Sequence, residues 1–280
     1  MNKTNFKWST VYIVFMFAIL YAPILYLMFY SFNAGGDMTG FTGFTWEHYQ
    51  TLFEDTRLIT FIVNTFIVAL LSALLSTIIG TFGAIAIYYT RQKGRRQAVL
   101  NLNNILMVTP DVMMGASFLI LFSVLIPIQL GFASVLLAHV AFSIPIVVLM
   151  VLPRLYEMNP TMIIAAQDLG ASHGQILSRV ILPSISTGIF SGFFMAFTYS
   201  LDDFAVTFFV TGNGFSTLSV EVYSRARTGV SLEINALSTL MFLLALILVS
   251  GYYSLQMTEQ RRKAKLQKRN KAVLDVWKHS

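Results

Sequence analysis

The chain has 280 residues, of which 56% are hydrophobic and only 11% are charged, and its mean hydropathy is +0.68. A soluble domain needs far more charge to cover its surface, so most of this chain is expected to lie in lipid. The absence of cysteine excludes a disulfide framework, a thiolate nucleophile and a cysteine-ligated metal site. The sequence contains neither the P-loop pattern nor the zinc-protease pattern, so it has no motif of its own for binding ATP phosphates.

Several apolar intervals between charged residues are long enough to cross a bilayer, because a spanning helix needs about 20 apolar residues. We predict six spans, near 11–32, 61–89, 104–127, 132–152, 185–208 and 235–257, in one transmembrane domain covering residues 1–280. The segment from Ile126 to Gly131 is typical of a turn between the third and fourth spans.

Lys and Arg are distributed unevenly between the connections. Of the 19 Lys and Arg, only Arg57, Arg225 and Arg227 fall on the side opposite to the two termini. Because positively charged connections of membrane proteins stay in the cytoplasm, we predict that both termini are cytoplasmic. The basic tail at 258–280 directly follows the last span, which favours contact with the lipid bilayer and its anionic head groups and argues against binding of nucleic acid.

The connection at 154–183 is too long for a simple turn and contains helix boundaries. Asn159 followed by Pro160 predicts the start of a helix over Thr161 to Leu169. Ile163, Ala166 and Leu169 are available to one face of this helix, and Gly170 lies where a left-handed C-cap belongs.

The segment from Ser172 to Gln175 fits a capping box that opens a second short helix, which we expect to run through Val180 and to be closed by Pro183. Two short helices meeting at a glycine form an element that can dock into a groove on a soluble partner. A hairpin that lies flat on the membrane surface is the alternative, and the composition alone does not decide between them.

This connection resembles a known motif. Ile164-Ala165-Ala166-Gln167-Asp168-Leu169-Gly170 is followed, after nine residues, by Val180-Ile181-Leu182-Pro183. The pattern is similar to the EAA loop, E-A-A-x-x-x-G-x(9)-I-x-L-P, of permease subunits in bacterial binding-protein-dependent ABC importers. Ile164 stands where the motif has an acid, and Val180 where it has isoleucine. The resemblance implies that coupling to a separate ATPase involves Ala165, Ala166, Asp168, Gly170, Leu182 and Pro183.

The resemblance covers most of the chain. Thr109-Pro110-Asp111, Ser200 to Phe204, Phe208 to Gly212 and Gly229 to Ala236 resemble the spermidine/putrescine branch, and within it the second permease subunit. This implies the type I ABC importer permease fold, an all-α integral membrane architecture of six transmembrane helices with a cytoplasmic coupling-helix hairpin, in the bacterial cytoplasmic membrane. The implied partners are a second related permease, a homodimeric cytoplasmic ATPase that binds the ATP, and an external solute-binding protein. No cofactor of its own is expected.

Three carboxylates are candidates for the solute pathway, since a charge inside lipid costs about 2.5–3.5 kcal/mol even on lenient scales. Asp111 follows Pro110, which breaks the helix, and a broken helix with a carboxylate is typical of transporter cavities. The alternative is a structural Asp that pairs with a neighbouring helix or caps its own. Asp202 and Asp203 end the charge-free part of the fifth span. Adjacent helical residues point about 100° apart, so one of them is expected to face the pathway fully. Ser200, within one turn, adds a hydroxyl.

Two further residues have a functional and a structural interpretation. Trp46, in the acidic outer loop with Tyr49 nearby, is a candidate for holding an ammonium group by a cation–π interaction. Its alternative role is that of an interfacial residue of the aromatic belt. For His139 we expect a hydrogen-bonded packing residue rather than a proton relay, because no carboxylate lies one helical turn away.

The leading hypothesis is a permease subunit for polyamines that is not itself an enzyme. The alternative within the class is a permease for another solute, such as thiamine, ferric ion or phosphonate, although an anion would call for Lys or Arg in the pathway. From other classes, a stand-alone secondary transporter or channel usually shows an internal repeat and more spans. An intramembrane enzyme is the remaining alternative. The sequence does not distinguish spermidine from putrescine.

Overall fold

The computed structural model describes residues 8–228, 232–243, 245–247 and 250. In this part of the chain the regular structure is α-helical, apart from π-helical turns and an isolated β-bridge between Asn33 and Phe44. The predicted all-α class is therefore confirmed. The chain divides into two compact units, one with the described residues up to Asp55 and from Arg225 onward, the other with Thr56–Ser224.

The first unit contains helices α1 (Trp8–Tyr30) and α2 (Glu47–Glu54) and a later apolar helix, Leu232–Ile247. The loop between α1 and α2 is organised by Asn33, which is fully buried. Asn33 Nδ2 donates to the carbonyls of Asp37 (2.9 Å) and Gly40 (2.8 Å), and its Oδ1 accepts the N–H of Thr42 (2.8 Å). Hydrogen bonds from the hydroxyl and N–H of Thr39 hold the pKa of Asp37 below its usual value.

The second unit is built from ten helices in chain order. They are α3 (Thr56–Tyr89), α4 (Lys93–Val108), α5 (Asp111–Ile120), α6 (Phe132–Glu157), α7 (Thr161–Asp168), α8 (His173–Ile176), α9 (Leu182–Ser184), α10 (Ser186–Asp202), α11 (Ala205–Val210) and α12 (Leu218–Thr228), the last of which runs past the unit boundary. A π-helical turn, Leu121–Leu125, extends α5, and another, Leu177–Ile181, joins α8 to α9. We label the apolar helix of the first unit α13.

The core of the second unit lies where α3 and α10 pack against α6. Val147 and Val151 of α6 are fully buried there. Glycines let the backbones approach: a Cβ on Gly80 of α3 would stand 2.7 Å from the Val147 side chain, and one on Gly188 of α10 would stand 2.9 Å from the Met150 carbonyl oxygen. Small residues at helix contacts are typical of membrane proteins, where lipid is as apolar as the side chains and close packing must hold the helices together.

Two sharp bends interrupt the apolar helices. The helices α4 and α5 meet at 106° across Thr109 and Pro110, because proline has no N–H for the helix and forces the preceding residue into an extended conformation. The predicted break at Pro110 is confirmed, and the predicted third span, 104–127, begins inside α4. The segment His173–Ser184 meets α10 at 68°.

A further break divides the predicted fifth span. Between α10 and α11 the chain leaves the helix at Asp203, whose backbone is extended. The segment 185–208 therefore consists of two helices instead of one. Neither Gly nor Pro occurs at this break, so side-chain contacts must account for it.

Helices long and apolar enough to cross a bilayer are found at Thr10–Tyr30, Thr56–Tyr89 and Phe132–Glu157 among the described residues, and each bent pair adds one more span if counted as such. The helix α13 is apolar but shorter. It covers the start of the predicted sixth span, 235–257, whose end lies outside the described residues together with the basic tail 258–280. The count of six spans stays a prediction.

The glycine contacts predict an asymmetry between two neighbouring glycines of α3. Replacing Gly80 by Ala should lower the free energy of unfolding by about 1–3 kcal/mol, because the added methyl group overlaps Val147. Gly83→Ala is the matched control, since its Cβ would meet Val148 at an ordinary 3.8 Å. This second change should be neutral or stabilise by up to about 1 kcal/mol through helix propensity. Thermal unfolding of the purified protein in detergent measures both, and equal midpoints for the two variants would contradict the packing analysis.

Candidate functional site

The helices α7 and α8 form a hairpin around Gly170. Gly170 has φ = +76°, which is the left-handed conformation that glycine adopts at little cost. Its N–H bonds the Gln167 carbonyl (2.8 Å), and the N–H of Ala171 bonds the Ala166 carbonyl (3.0 Å), so α7 ends in a regular cap. A Cβ at Gly170 would meet no atom within 4 Å. The requirement for glycine is therefore conformational and not steric.

The predicted helix starts of the hairpin are confirmed. Asn159 Oδ1 accepts the N–H (3.0 Å) and hydroxyl (2.8 Å) of Thr161 before α7. Ser172 and Gln175 form the capping box of α8, with the Ser172 N–H bonded to Gln175 Oε1 at 2.8 Å. Pro183 does not close the second helix as predicted. Pro183 lies in α9 instead. The π-helical turn before it places Pro183 where its missing N–H is not needed, and the bend follows at Ile185.

One side of the hairpin packs on the core and the other protrudes. Ile163 and Ala166 pack against the buried cluster around α6. Leu169 is 88% exposed, so the predicted common face of Ile163, Ala166 and Leu169 is wrong for Leu169, which lies at the end of α7 beside the left-handed Gly170. The remaining residues of the motif are exposed or half-buried: Ala165, Asp168, Leu182 and Pro183.

The residues Gly170 to Gly174 also match the G-x-S-x-G pattern of serine hydrolases. That pattern needs a strand-to-helix turn that exposes the serine as a nucleophile. Here Ser172 lies between two helices and its hydroxyl accepts the N–H of Gln175. The serine is a helix cap, and the match carries no hydrolase function.

An exposed acidic strip connects α5 with α10. Asp111 is the first residue of α5, and its Oδ1 accepts the hydroxyl of Tyr199 on α10 at 2.8 Å. Asp202 follows Tyr199 by three residues, so the two share one face of the helix. All three side chains are exposed. We call Asp111, Tyr199 and Asp202 the acidic strip. Asp111 thus pairs with a neighbouring helix, as its structural alternative required, and still presents its carboxylate at the surface.

The neighbouring face of α10 carries a buried polar network instead. Ser72 Oγ of α3 donates to Ser200 Oγ (2.9 Å), which lies 2.6 Å from His139 Nδ1 of α6. His139 Nε2 lies 2.8 Å from Thr207 Oγ1 of α11, and that hydroxyl donates to Asp203 Oδ2 at 2.7 Å. The side chains of His139 and Asp203 are only 1% and 6% exposed. We call these five residues the polar network, and they join helices α3, α6, α10 and α11.

Counting donors assigns a direction to the polar network. Thr207 gives its single hydroxyl proton to Asp203, so it accepts from His139 Nε2, which carries the ring proton. The Nδ1 atom then accepts from Ser200, and Ser200 accepts from Ser72. The hydroxyls of Ser200 and Thr207 thus each donate once and accept once, and that of Ser72 acts as a donor. The buried polar atoms of the network are satisfied, as buried polar groups must be.

Asp203 ends the network and caps α11. Its Oδ1 accepts the N–H of Val206 (3.2 Å) and its Oδ2 accepts the N–H of Thr207 (2.8 Å). The hydroxyl of Ser219 donates to the Asp203 carbonyl oxygen (2.7 Å). These bonds explain the break between α10 and α11, since they satisfy backbone groups that a helix start leaves without partners.

The structure separates the predicted pathway residues into two groups. Asp111 and Asp202 are exposed, whereas Ser200 and Asp203 are in the buried network. His139 is hydrogen-bonded and packed, as predicted, but the reason given for it is wrong. A carboxylate does lie beside it, contributed by a different helix, with Nε2 at 3.4 Å from Asp203 Oδ2.

Trp46 belongs to an aromatic cluster in the first unit. Its ring centroid lies 5.0 Å from Phe32, 5.4 Å from Phe44 and 5.6 Å from Tyr49. Trp46 is 57% exposed, whereas Tyr49 is buried and bonds Ser31 Oγ at 2.7 Å. The cluster fixes the indole while leaving much of it accessible, an arrangement that suits a cation–π contact and a place in the aromatic belt equally.

The described residues contain no group of three or more His, Asp or Glu that could hold a metal ion. The chemistry that the arrangement offers is therefore that of hydrogen-bond acceptors, carboxylates and aromatic rings.

Comparison with known sequences gives the family. Residues 76–263 match the family described as binding-protein-dependent transport system inner membrane component. The chain is 40% identical over 246 residues to the spermidine/putrescine transport system permease protein PotC of Haemophilus influenzae, covering 88% of this chain and 95% of that protein. It is 35% identical over 240 residues to the putrescine transport system permease protein PotI of Escherichia coli K12, covering 84% and 85%.

Solved structures support the fold. A bacterial ABC transporter involved in the import of the acidic polysaccharide alginate matches with a TM-score of 0.69 at 18% identity, covering 89% of this chain and 92% of that chain. The MetNI methionine ABC transporter matches with a TM-score of 0.59 at 19% identity, covering 75% and 95%. At these identities the likeness concerns the fold alone. The family match and the similar permeases together place the chain in the family of binding-protein-dependent transport system inner membrane components.

Proposed function

We propose that this chain is one membrane-spanning subunit of an ATP-driven importer and forms half of the translocation pathway for the polyamines spermidine and putrescine. The names of its similar relatives support this solute class. The single observation that carries the assignment within the chain is the acidic strip, where two exposed carboxylates flank an exposed tyrosine.

The acidic strip suits an ammonium group chemically. An ammonium has three donors, and a carboxylate accepts charge-assisted hydrogen bonds from them. The Tyr199 hydroxyl donates to one oxygen of Asp111 and leaves the other available. The ring of Tyr199 adds a face for cation–π attraction. Trp46, in the first unit, is a separate candidate for a cation–π contact with the solute. An anionic solute would find no such partner in the strip.

The hairpin of α7 and α8 is the proposed contact with the ATPase. Leu169 and Ile164 protrude from it, 88% and 55% exposed, and apolar residues on a short helix suit a groove on a partner. Ile163 and Ala166 fasten the same hairpin to the core. A push on the hairpin is therefore transmitted to α10 through the bend at Ile185.

The proposed assembly is the one that the family resemblance implies. The chain pairs with a second related permease, two copies of a cytoplasmic ATPase bind the hairpins and the ATP, and an external binding protein delivers the solute. We propose six spans with both termini in the cytoplasm, so that the hairpin lies on the cytoplasmic face, and we expect no cofactor in this chain. Labelled spermidine and putrescine uptake by cells that have this assembly as their only polyamine importer, with co-purification of the ATPase, tests the proposal. Absence of uptake by the complete assembly overturns it.

The first prediction from this function concerns the two exposed carboxylates. Asp111→Asn and Asp202→Asn keep the volume and remove the charge, so each should still insert. Each should lower polyamine uptake about thirty-fold if it contributes about 2 kcal/mol at the rate-limiting barrier. Glu157→Gln is the matched control, because this exposed carboxylate pairs with Arg154 at the end of α6 and should change uptake little. Full uptake by both Asp variants at matched membrane levels would remove the strip from the pathway.

A second prediction concerns coupling. Gly170→Val should uncouple ATP hydrolysis from uptake, because a β-branched residue is strained at φ = +76°. Gly170→Asn should be tolerated, since asparagine adopts this conformation more readily. Gly174→Val is the control, because Gly174 is in the same hairpin with a regular conformation and open space around it. ATPase activity and uptake of the reconstituted complex measure the effect, and coupled transport by Gly170→Val would contradict it.

A third prediction concerns topology. Because the chain has no cysteine, an introduced thiol is the only one in it that can react. A thiol introduced by Thr39→Cys should react with a membrane-impermeant maleimide in intact spheroplasts. A thiol introduced by Ser178→Cys, at an exposed position of the π-helical turn that follows α8, should react only after permeabilisation. The reverse pattern would invert the predicted orientation and remove the ATPase contact.

A further inference from the structure

The two adjacent aspartates at the end of α10 have opposite environments. Asp202 is exposed in the acidic strip, whereas Asp203 is buried, accepts two backbone N–H groups and receives the Thr207 hydroxyl. All of the hydrogen bonds to the Asp203 carboxylate come from the first turn of α11, and His139 stands behind Thr207. The Asp203 side chain is only 6% exposed, so its carboxylate is turned into the network and not toward the surface that carries the strip.

We infer that His139 and Asp203 are positioning residues for transport: through Thr207 they hold the break between α10 and α11, which sets the places of Asp202 and Asp111, and Asp203 does not itself contact the solute. This inference rests on the proposed function for its transport readout. The inference gives different roles to Asp202 and Asp203, which the sequence alone does not distinguish.

The position of Asp202 depends on the cap of α11. The last turn of α10 carries Tyr199 and Asp202 on one face and Ser200 on the other, where Ser200 is tied to His139 at 2.6 Å. The helix ends directly after Asp202 because the carboxylate of Asp203 caps α11. Removing the cap leaves two N–H groups without partners in an apolar environment, which costs as much as a lost buried hydrogen bond each. The helix end, and Asp202 with it, is then no longer fixed.

The position of Asp111 depends on the packing of α11 against α5. The helix α11 packs tightly on α5, where a Cβ on Gly115 would lie 3.0 Å from the Ala205 carbonyl oxygen and 2.7 Å from the Phe209 ring. Asp111 begins the same α5. A displaced α11 therefore moves the helix that carries Asp111 as well. Both carboxylates of the strip depend on one buried cap, and acceptors for a diamine must keep their spacing, since small displacements of binding groups reduce rates strongly.

His139 holds Thr207 in place. With a neutral ring, Nε2 donates to Thr207 and Nδ1 accepts from Ser200, so the two nitrogens serve different helices. A glutamine at this position can place its amide nitrogen near Nε2, whereas an asparagine reaches only the position of Nδ1. If the contact with α11 matters, the two amides should behave differently although their chemistry is the same.

The test uses four variants in the complete importer complex in membranes. His139→Leu removes both contacts, His139→Gln restores the one to Thr207, and His139→Asn restores the one to Ser200. Ser143→Ala is the matched control, because Ser143 lies one turn further along α6, is equally buried, and its hydroxyl has no hydrogen-bond partner among the described residues.

A thiol reporter reads the α11 cap without any transport. Val206 is 1% exposed, and the chain has no cysteine, so Val206→Cys introduces a protected thiol that is the only one in this chain. We expect slow maleimide labelling in the parent, Ser143→Ala and His139→Gln backgrounds, and labelling faster by about tenfold or more in His139→Leu and His139→Asn, as loss of one such hydrogen bond implies. Polyamine uptake should fall by a similar factor in the latter two and be rescued in His139→Gln.

The outcomes separate the inference from the proposed function. Unchanged labelling in His139→Leu and His139→Asn overturns the inference, and so does equal behaviour of the glutamine and asparagine variants. If His139→Leu does not accumulate, the two amide variants decide the question alone. Failure of the parent complex to import polyamines overturns the proposed function, while the labelling pattern still reports on the α11 cap.

Discussion

Lipid offers no hydrogen bonds to a peptide backbone, so a helix that stops within the membrane must find partners for the groups it exposes. Two interruptions in the second unit meet this requirement in different ways. At Thr109–Pro110 the proline removes one of the N–H groups that the start of α5 would leave open. Between Asp202 and Ala205 a carboxylate accepts two of them. The polar side chains gather at these interruptions, and each carboxylate of the acidic strip lies next to one.

Packing and hydrogen bonding divide the remaining work. The contacts of α3 and α10 with α6 depend on glycines that bring backbones close, because apolar side chains gain little from one another in an apolar solvent. Further along the same three helices, close packing gives way to the polar network, where Ser72, His139 and Ser200 meet. Apolar contacts do not require one particular arrangement, whereas the network is satisfied only by a single arrangement of donors and acceptors.

Sequence reasoning predicted the features that depend on neighbouring residues. The caps at Asn159 and Ser172, the left-handed Gly170 and the break at Pro110 all follow from residues within a few positions, and the structure contains each of them. The all-helical class followed from the length of the apolar intervals. The family motif predicts that the hairpin contacts an ATPase, a role that composition alone left open.

The features that sequence reasoning missed depend on distant residues. The partners of Ser200 are 61 residues away at His139 and 128 residues away at Ser72. Without these contacts nothing distinguishes Asp202 from Asp203, and the break after them has no Gly or Pro to announce it. The rule that His139 lacked a carboxylate one turn away considered only its own helix.

The glycine contacts with α6 also fix how this unit can move. A Cβ on Gly188 would stand 2.9 Å from the Met150 carbonyl oxygen, and one on Gly192 would stand 3.3 Å from the Val147 Cα, so α10 lies directly against the backbone of α6 with little room for relative movement. In the proposed importer, we therefore expect the movements that alternate access between the two sides of the membrane at the joints around Pro110, Ile185 and Asp203, beside the acidic strip and the hairpin.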